Sequence, residues 1–162
     1  MDTAPDPQSL KAEFYARIDR YNLYPLWEAI GELMSSVPQT RAVPHLWGIE
    51  EVRPHLLESA GLISAQEAER RTLMLENPGM RGARRITEAL YAGLQLIMPG
   101  EVAAPHRHTP SAMRMVIESE NGYTSVDGEE CPMEPGDLIL NPSWAWHGHG
   151  HHGPGPHISM TC

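Results

Sequence analysis

Apolar and polar positions change period partway along the 162-residue chain. Up to about residue 85 the period is helical. Leu10, Phe14, Ile18 and Tyr21 recur every three or four residues in SLKAEFYARIDRY, which predicts one apolar helix face with Ser9 as N-cap. SAQEAERRTLMLEN opens with Ser64 and Glu67 at capping-box spacing and predicts a helix running up to Pro78-Gly79. Between them, VPHLWGIEEVRPHLLESAGL predicts an extended start and a short helix ending at Gly61. Beyond residue 85 the runs are short and alternate. ALYAGLQLIM predicts a strand ending at Pro99-Gly100, and MRMVIES and GYTSVDG predict paired strands around ENG, with a turn at Asp127-Gly128. EPGDLILNPS reads as a turn, a short apolar strand and another turn. The expected fold is therefore mainly β, a sandwich or jelly-roll barrel behind a helical segment. Residues 1–85 are expected to form the helical and extended segment that packs on the barrel, and residues 86–162 the barrel itself.

Composition narrows the partners. Fifteen prolines and fourteen glycines suit a fold with many turns. A net charge of -9 argues against nucleic acid or an anionic membrane as the main partner, although a local cationic site can still take an anionic small substrate. Cys131 and Cys162 lie far apart with no CxxC, so neither a disulfide framework nor a zinc ribbon is expected. No apolar run approaches the roughly 20 residues of a membrane span. The start, MDTAPDPQSLKAEF, is acidic and has no apolar core, so no signal peptide is read and the cytoplasm is the default location.

The chemistry concentrates in histidines. PHRHTPSAMR places His106 and His108 one residue apart, where an extended backbone aims both at one point, and Pro105 favours an extended Ala104. Alone, such a pair is more often surface decoration than half of a metal site. A third histidine, His147, follows the strand DLILN in PSWAWHGHG. Five residues separate Gly100 from His106; later, five residues separate Gly136 from Pro142, and His147 lies five residues further on.

This spacing resembles the two signature motifs of the cupin superfamily, whose histidines meet at a metal inside a β-barrel. Ala112 and Met113 stand where the usual first motif carries a Glu ligand, and Ser119, Trp144 and His151 stand where Gly, Gly and Asn are common. With those departures, LIMPGEVAAPHRHTPSAMRMVIES and YTSVDGEECPMEPGDLILNPSWAWHGHG look like the N-terminal cupin of gentisate 1,2-dioxygenases. ERRTLMLENPGM and RITEALYAGLQLIMPGE look like the same family. The resemblance implies Fe(II) held by His106, His108 and His147 without a carboxylate, and ring opening of gentisate with O2 to maleylpyruvate in aromatic compound catabolism. It implies no organic cofactor, and a homo-oligomer in the intact family member. Salicylate and 1-hydroxy-2-naphthoate dioxygenases share the motifs and remain alternatives. Family members normally carry two cupin domains in more than twice this length, and HISMTC does not look like their continuation. The chain is thus expected to be truncated and its barrel short of a closing strand.

Each remaining candidate has two readings. Arg114 lies at even spacing from His106 and His108; it is an inward donor for a substrate carboxylate or an outward salt-bridge partner. Family position favours the first, and also favours Gln95 as a polar substrate contact over a core or surface amide. His149 is either a substrate-orienting acid/base group or a solvated loop histidine. Arg70, Arg84 and Arg85 are expected mainly to cover a solvated face. Tyr91, Trp144 and Trp146 are candidates for an aromatic pocket wall, with core packing preferred for Trp144. His151, His152 and His157 are read as part of a flexible glycine-rich loop rather than a metal-binding tract. Two other functions stay open: a non-enzymatic cupin that binds a metal or a small aromatic acid, and a different metal-dependent cupin enzyme.

Overall fold

The computed structural model describes residues 6–162, which divide into two compact units between Gln39 and Thr40. The first contains α1 (Pro7–Asp19) and α2 (Leu26–Leu33). The cap of α1 is Asp6 rather than Ser9: its side chain accepts from the Gln8 amide at 3.3 Å, and Pro7 takes the first helical position, where no N–H is needed. Trp27 Nε1 donates to Tyr15 Oη at 2.7 Å, and Phe14 stacks on the Trp27 ring with centroids 6.5 Å apart.

The second unit contains α3 (Ile49–Leu62), α4 (Ala65–Ala68) and nine strands. These are β1 (Thr72–Met74), β2 (Gly93–Ile97), β3 (Val102–His106), β4 (Ala112–Glu118), β5 (Gly122–Val126), β6 (Glu129–Met133), β7 (Leu138–Asn141), β8 (His147–His151) and β9 (His157–Thr161). They form a five-stranded sheet in the order β1-β2-β9-β4-β7 and a four-stranded sheet in the order β3-β8-β5-β6, antiparallel throughout. The two faces of the larger sheet differ in chemistry. On one, Leu94 and Leu96 of β2 and Ile158 of β9 pack with Leu56 of α3, which is fully buried. On the other, Arg114 donates hydrogen bonds to Gln95 and Ser159 and reaches His149 of the smaller sheet. The apolar core thus lies between helix and sheet, whereas polar and ionisable side chains fill this part of the space between the sheets.

Further sequence expectations change. The capping box at Ser64 and Glu67 is present, but the helix it starts is only four residues long. Glu69 adopts a left-handed φ of 52°, and Thr72–Met74 then pair with β2, so sheet pairing overrides helical propensity. Just before the strand, buried Arg71 pairs with Glu101 at 2.7 Å. The strands of MRMVIES and GYTSVDG are not partners: β4 pairs with β7 and β9, whereas β5 pairs with β6 and β8 in the other sheet. The hairpin is β5–β6, turning at Asp127 and Gly128, both at positive φ as a type I′ turn requires.

The tail HISMTC, expected to leave the barrel short of a strand, supplies β9, which runs between β2 and β4. The expected loop from His147 to His157 instead contains all of β8 and the first residue of β9. Its glycines serve close approach: a Cβ on Gly150 would lie 2.2 Å from Tyr123 Oη on the neighbouring strand. His151 and His157 are fully buried, and only His152 is exposed, stacked on Tyr123.

Candidate metal centre and substrate cavity

Pairing of β3 with β8 brings the histidines together. His106 lies directly across from His147, after a register irregularity between Ala103 and His106, and their ring centroids are 4.3 Å apart. His108, just beyond β3, places its ring 5.3 Å from that of His106 and 4.9 Å from that of His147. One ring nitrogen of each of the three lies within 4.8 Å of the others; among the described residues this is the one such cluster of possible metal ligands.

Hydrogen bonding and burial suit these rings to ligation. His108 Nδ1 donates to the Pro110 carbonyl at 2.7 Å, and His147 Nδ1 to the Ala145 carbonyl at 2.9 Å. A carbonyl accepts, so the protons sit on Nδ1 and the Nε2 lone pairs are free. Burial pushes the His106 pKa down to about 4, assisted by the charge of Arg70. Burial likewise lowers the His147 pKa, opposed by its bond to Ala145. Neutral imidazoles are the form that binds a divalent transition metal, and this donor set fits one.

The triad opens on a cavity of about 580 Å³. Arg70, Gln95, Arg114, Asn141 and Tyr91 also line it, and among the described residues no Asp or Glu does. Arg114 donates from Nη1 to Gln95 Oε1 at 2.8 Å and to Ser159 Oγ, and from Nη2 to His149 Nε2 at 2.8 Å. Of the five N–H groups of a guanidinium, these bonds use three and leave one each on Nη2 and Nε. Burial, with the charge of Arg70, lowers the Arg114 pKa to about 10, still well above neutrality. A cavity walled by two guanidiniums favours an anion.

The other candidates separate. Arg70, expected to cover a solvated face, lines the cavity, whereas Arg84 is exposed. Arg85 bonds the Glu88 carbonyl and Tyr91 Oη and lies over the Tyr91 ring. His149 is buried behind Arg114 and is not part of the cavity wall. Trp144 and Trp146 do not line the cavity; Trp144, expected in the core, is 53 % exposed, and the Arg107 guanidinium lies over both indoles. Trp144 sits at a φ of 67° in the turn before β8, which places its ring on the surface. Sequence reasoning missed Ser159 and Asn141. Alternation along HISMT, inward at 157 and 159, was the available signal for Ser159.

Two facing antiparallel sheets around a partly buried histidine cluster define a cupin fold, and residues 93–161 match the cupin domain family. Within that class, the chain is similar to gentisate 1,2-dioxygenases. It is 49 % identical to gentisate 1,2-dioxygenase 1 of Aquipseudomonas alcaligenes over 150 residues, covering 93 % of this chain and 43 % of the relative. It is 43 % identical to a gentisate 1,2-dioxygenase of a Ralstonia species over 154 residues, with the same coverage. The crystal structure of salicylate 1,2-dioxygenase from Pseudoaminobacter salicylatoxidans in its adduct with gentisate superposes with a TM-score of 0.76 at 35 % identity, covering 99 % of this chain and 44 % of that one. The chain thus spans less than half the length of these relatives. No helix among the described residues is long and apolar enough to cross a membrane.

Proposed function

We propose that this domain holds Fe(II) through His106, His108 and His147 and serves ring-cleaving dioxygenation of a 2-hydroxybenzoate, with gentisate the substrate of choice. The observation that carries this reading is the pairing of a three-histidine cluster with Arg114 in one cavity that has no Asp or Glu on its wall among the described residues. The names of the relatives support the choice of gentisate.

His106, His108 and His147 would hold the metal through three nitrogen donors, with the cavity beside them to take a hydroxy acid. Bound Fe(II) supplies the redox chemistry that lets an aromatic ring react with O2. The residues supply the rest. Arg114 takes the substrate carboxylate on its two remaining N–H groups, and Gln95, Ser159 and His149 hold the guanidinium in place. His149 acts as a positioning residue for Arg114. Arg70 adds positive charge at the cavity wall. In the overall reaction the bond between the carboxyl-bearing and the adjacent hydroxyl-bearing carbon breaks, and both atoms of O2 enter the product, maleylpyruvate.

Anaerobic reconstitution with Fe(II), followed by O2-uptake assays with gentisate and salicylate, tests the proposal. Gentisate-dependent uptake that disappears on chelation is the expected result. Metal binding without uptake on either acid would leave a binding module.

A further inference from the structure

Asn141 ends β7, is 2 % exposed and lines the cavity, yet its Nδ2 makes no hydrogen bond among the described residues. Buried amides are normally satisfied, so an orphaned one on a cavity wall is poised for a ligand. Its register partner is Ala112, too short to cover or bond it, whereas Arg114, two residues along β4, pairs with Ile139. Asn141 therefore stands one same-face step along the sheet from Arg114, on the strand beyond it.

Resting on the reading above, in which the metal and Arg114 take the carboxylate and the adjacent hydroxyl of the substrate, we propose that Asn141 receives a further oxygen substituent of the ring. Gentisate carries such a hydroxyl and salicylate does not. A hydroxyl both donates and accepts, and so suits an amide in either orientation. Asn141 is thereby the residue of this chain that separates dihydroxybenzoates from monohydroxybenzoates. A site built to bond a hydroxyl discriminates strongly against the analogue lacking it, because the buried polar group is then left unpaired.

The test is anaerobic calorimetric titration of the Fe(II)-reconstituted full chain with gentisate and with salicylate, for the parent, Asn141→Leu and Asn141→Ser. Metal content and thermal midpoint are recorded for each, so that Asn141→Ser carries the test where Asn141→Leu fails to fold. Gentisate affinity is expected to fall about 10-fold or more in the variants, with salicylate affinity changing less than about 2-fold. Equal losses for both acids, or no loss for either, overturn the assignment while the site reading stands. A parent that binds metal but neither acid overturns both.

Discussion

Arg114 Nη2 donates a hydrogen bond to His149 Nε2 at 2.8 Å, between two residues from opposite sheets. A guanidinium has no acceptor, so Nε2 must offer its lone pair and the imidazole proton sits on Nδ1. Burial, reinforced by the Arg114 charge, pushes the His149 pKa down to about 2, so this arrangement holds across the physiological range. The contact turns an interior histidine into a fixed support for the buried cation on the cavity wall. It also ties the sheet carrying Arg114 to the sheet carrying His147.

Replacing Arg114 with Leu separates substrate binding from metal binding. Iron stoichiometry is expected to stay at the parental value, because Arg114 is not a ligand. Gentisate affinity should fall by about 2 kcal/mol or more, as for loss of a buried charge-assisted hydrogen bond. Hydroquinone, which lacks the carboxylate, should bind parent and variant nearly alike. Anaerobic titration reads all three quantities, and unchanged gentisate affinity would place Arg114 outside the site.

Replacing His147 with Ala removes the proposed ligand that stands across from His106. The loss in Fe(II) affinity should exceed the roughly 10–100-fold that removal of an outer hydrogen-bond partner of a metal ligand costs. Elemental analysis after reconstitution and desalting checks this; a variant that retains parental metal content rules out the triad.

The site was more legible in the sequence than the sheet order. His106, His108 and His147 sit at spacings set by strand alternation and one turn, both local properties of the backbone. The pairing of β4 and β5 with strands other than each other depends on the chain crossing between sheets at residues 119–121, which alternation cannot report. The segment from His147 to His157 looks like a loop because of its glycines and prolines, yet those glycines admit Tyr123 and the backbone of Glu120 beside a buried strand. Asn141 was hidden for a different reason: its importance lies in a missing partner, and only packing reveals an absence.

The turn between β8 and β9 gives a paired test of that close approach. A Cβ at Gly153 would lie 1.6 Å from the Glu120 carbonyl oxygen, a backbone atom with no rotamer to escape into. At Gly155, two residues on, a Cβ would meet nothing within 4 Å. Gly153→Ala is expected to destabilise by about 1–3 kcal/mol or more through overpacking. Gly155→Ala should stay within roughly 0.5 kcal/mol of the parent, as surface substitutions usually do. Urea denaturation of the two variants side by side distinguishes them, and equal midpoints would remove the steric explanation.

Acid should weaken the fold through His157. This residue is fully buried in β9, with Nδ1 3.0 Å from Ser119 Oγ, the His151 ring 6.0 Å away and no partner for Nε2. Burial first, then the charges of Arg114 and His151, push its pKa down to about 4. In the unfolded chain the group returns to about 6.5. Between those values the unfolded state binds the proton and the folded state does not, so stability rises with pH across this window. The contribution is fully present above about pH 6.5, declines as pH falls, and levels off below about pH 4, where it has lost on the order of 3 kcal/mol. His157→Gln removes this titration. Urea melts of parent and variant at pH 7 and pH 4.5 should therefore show the parent losing about 2–3 kcal/mol more than the variant. An identical acid loss in both proteins would mean that His157 charges as readily folded as unfolded, which its burial forbids.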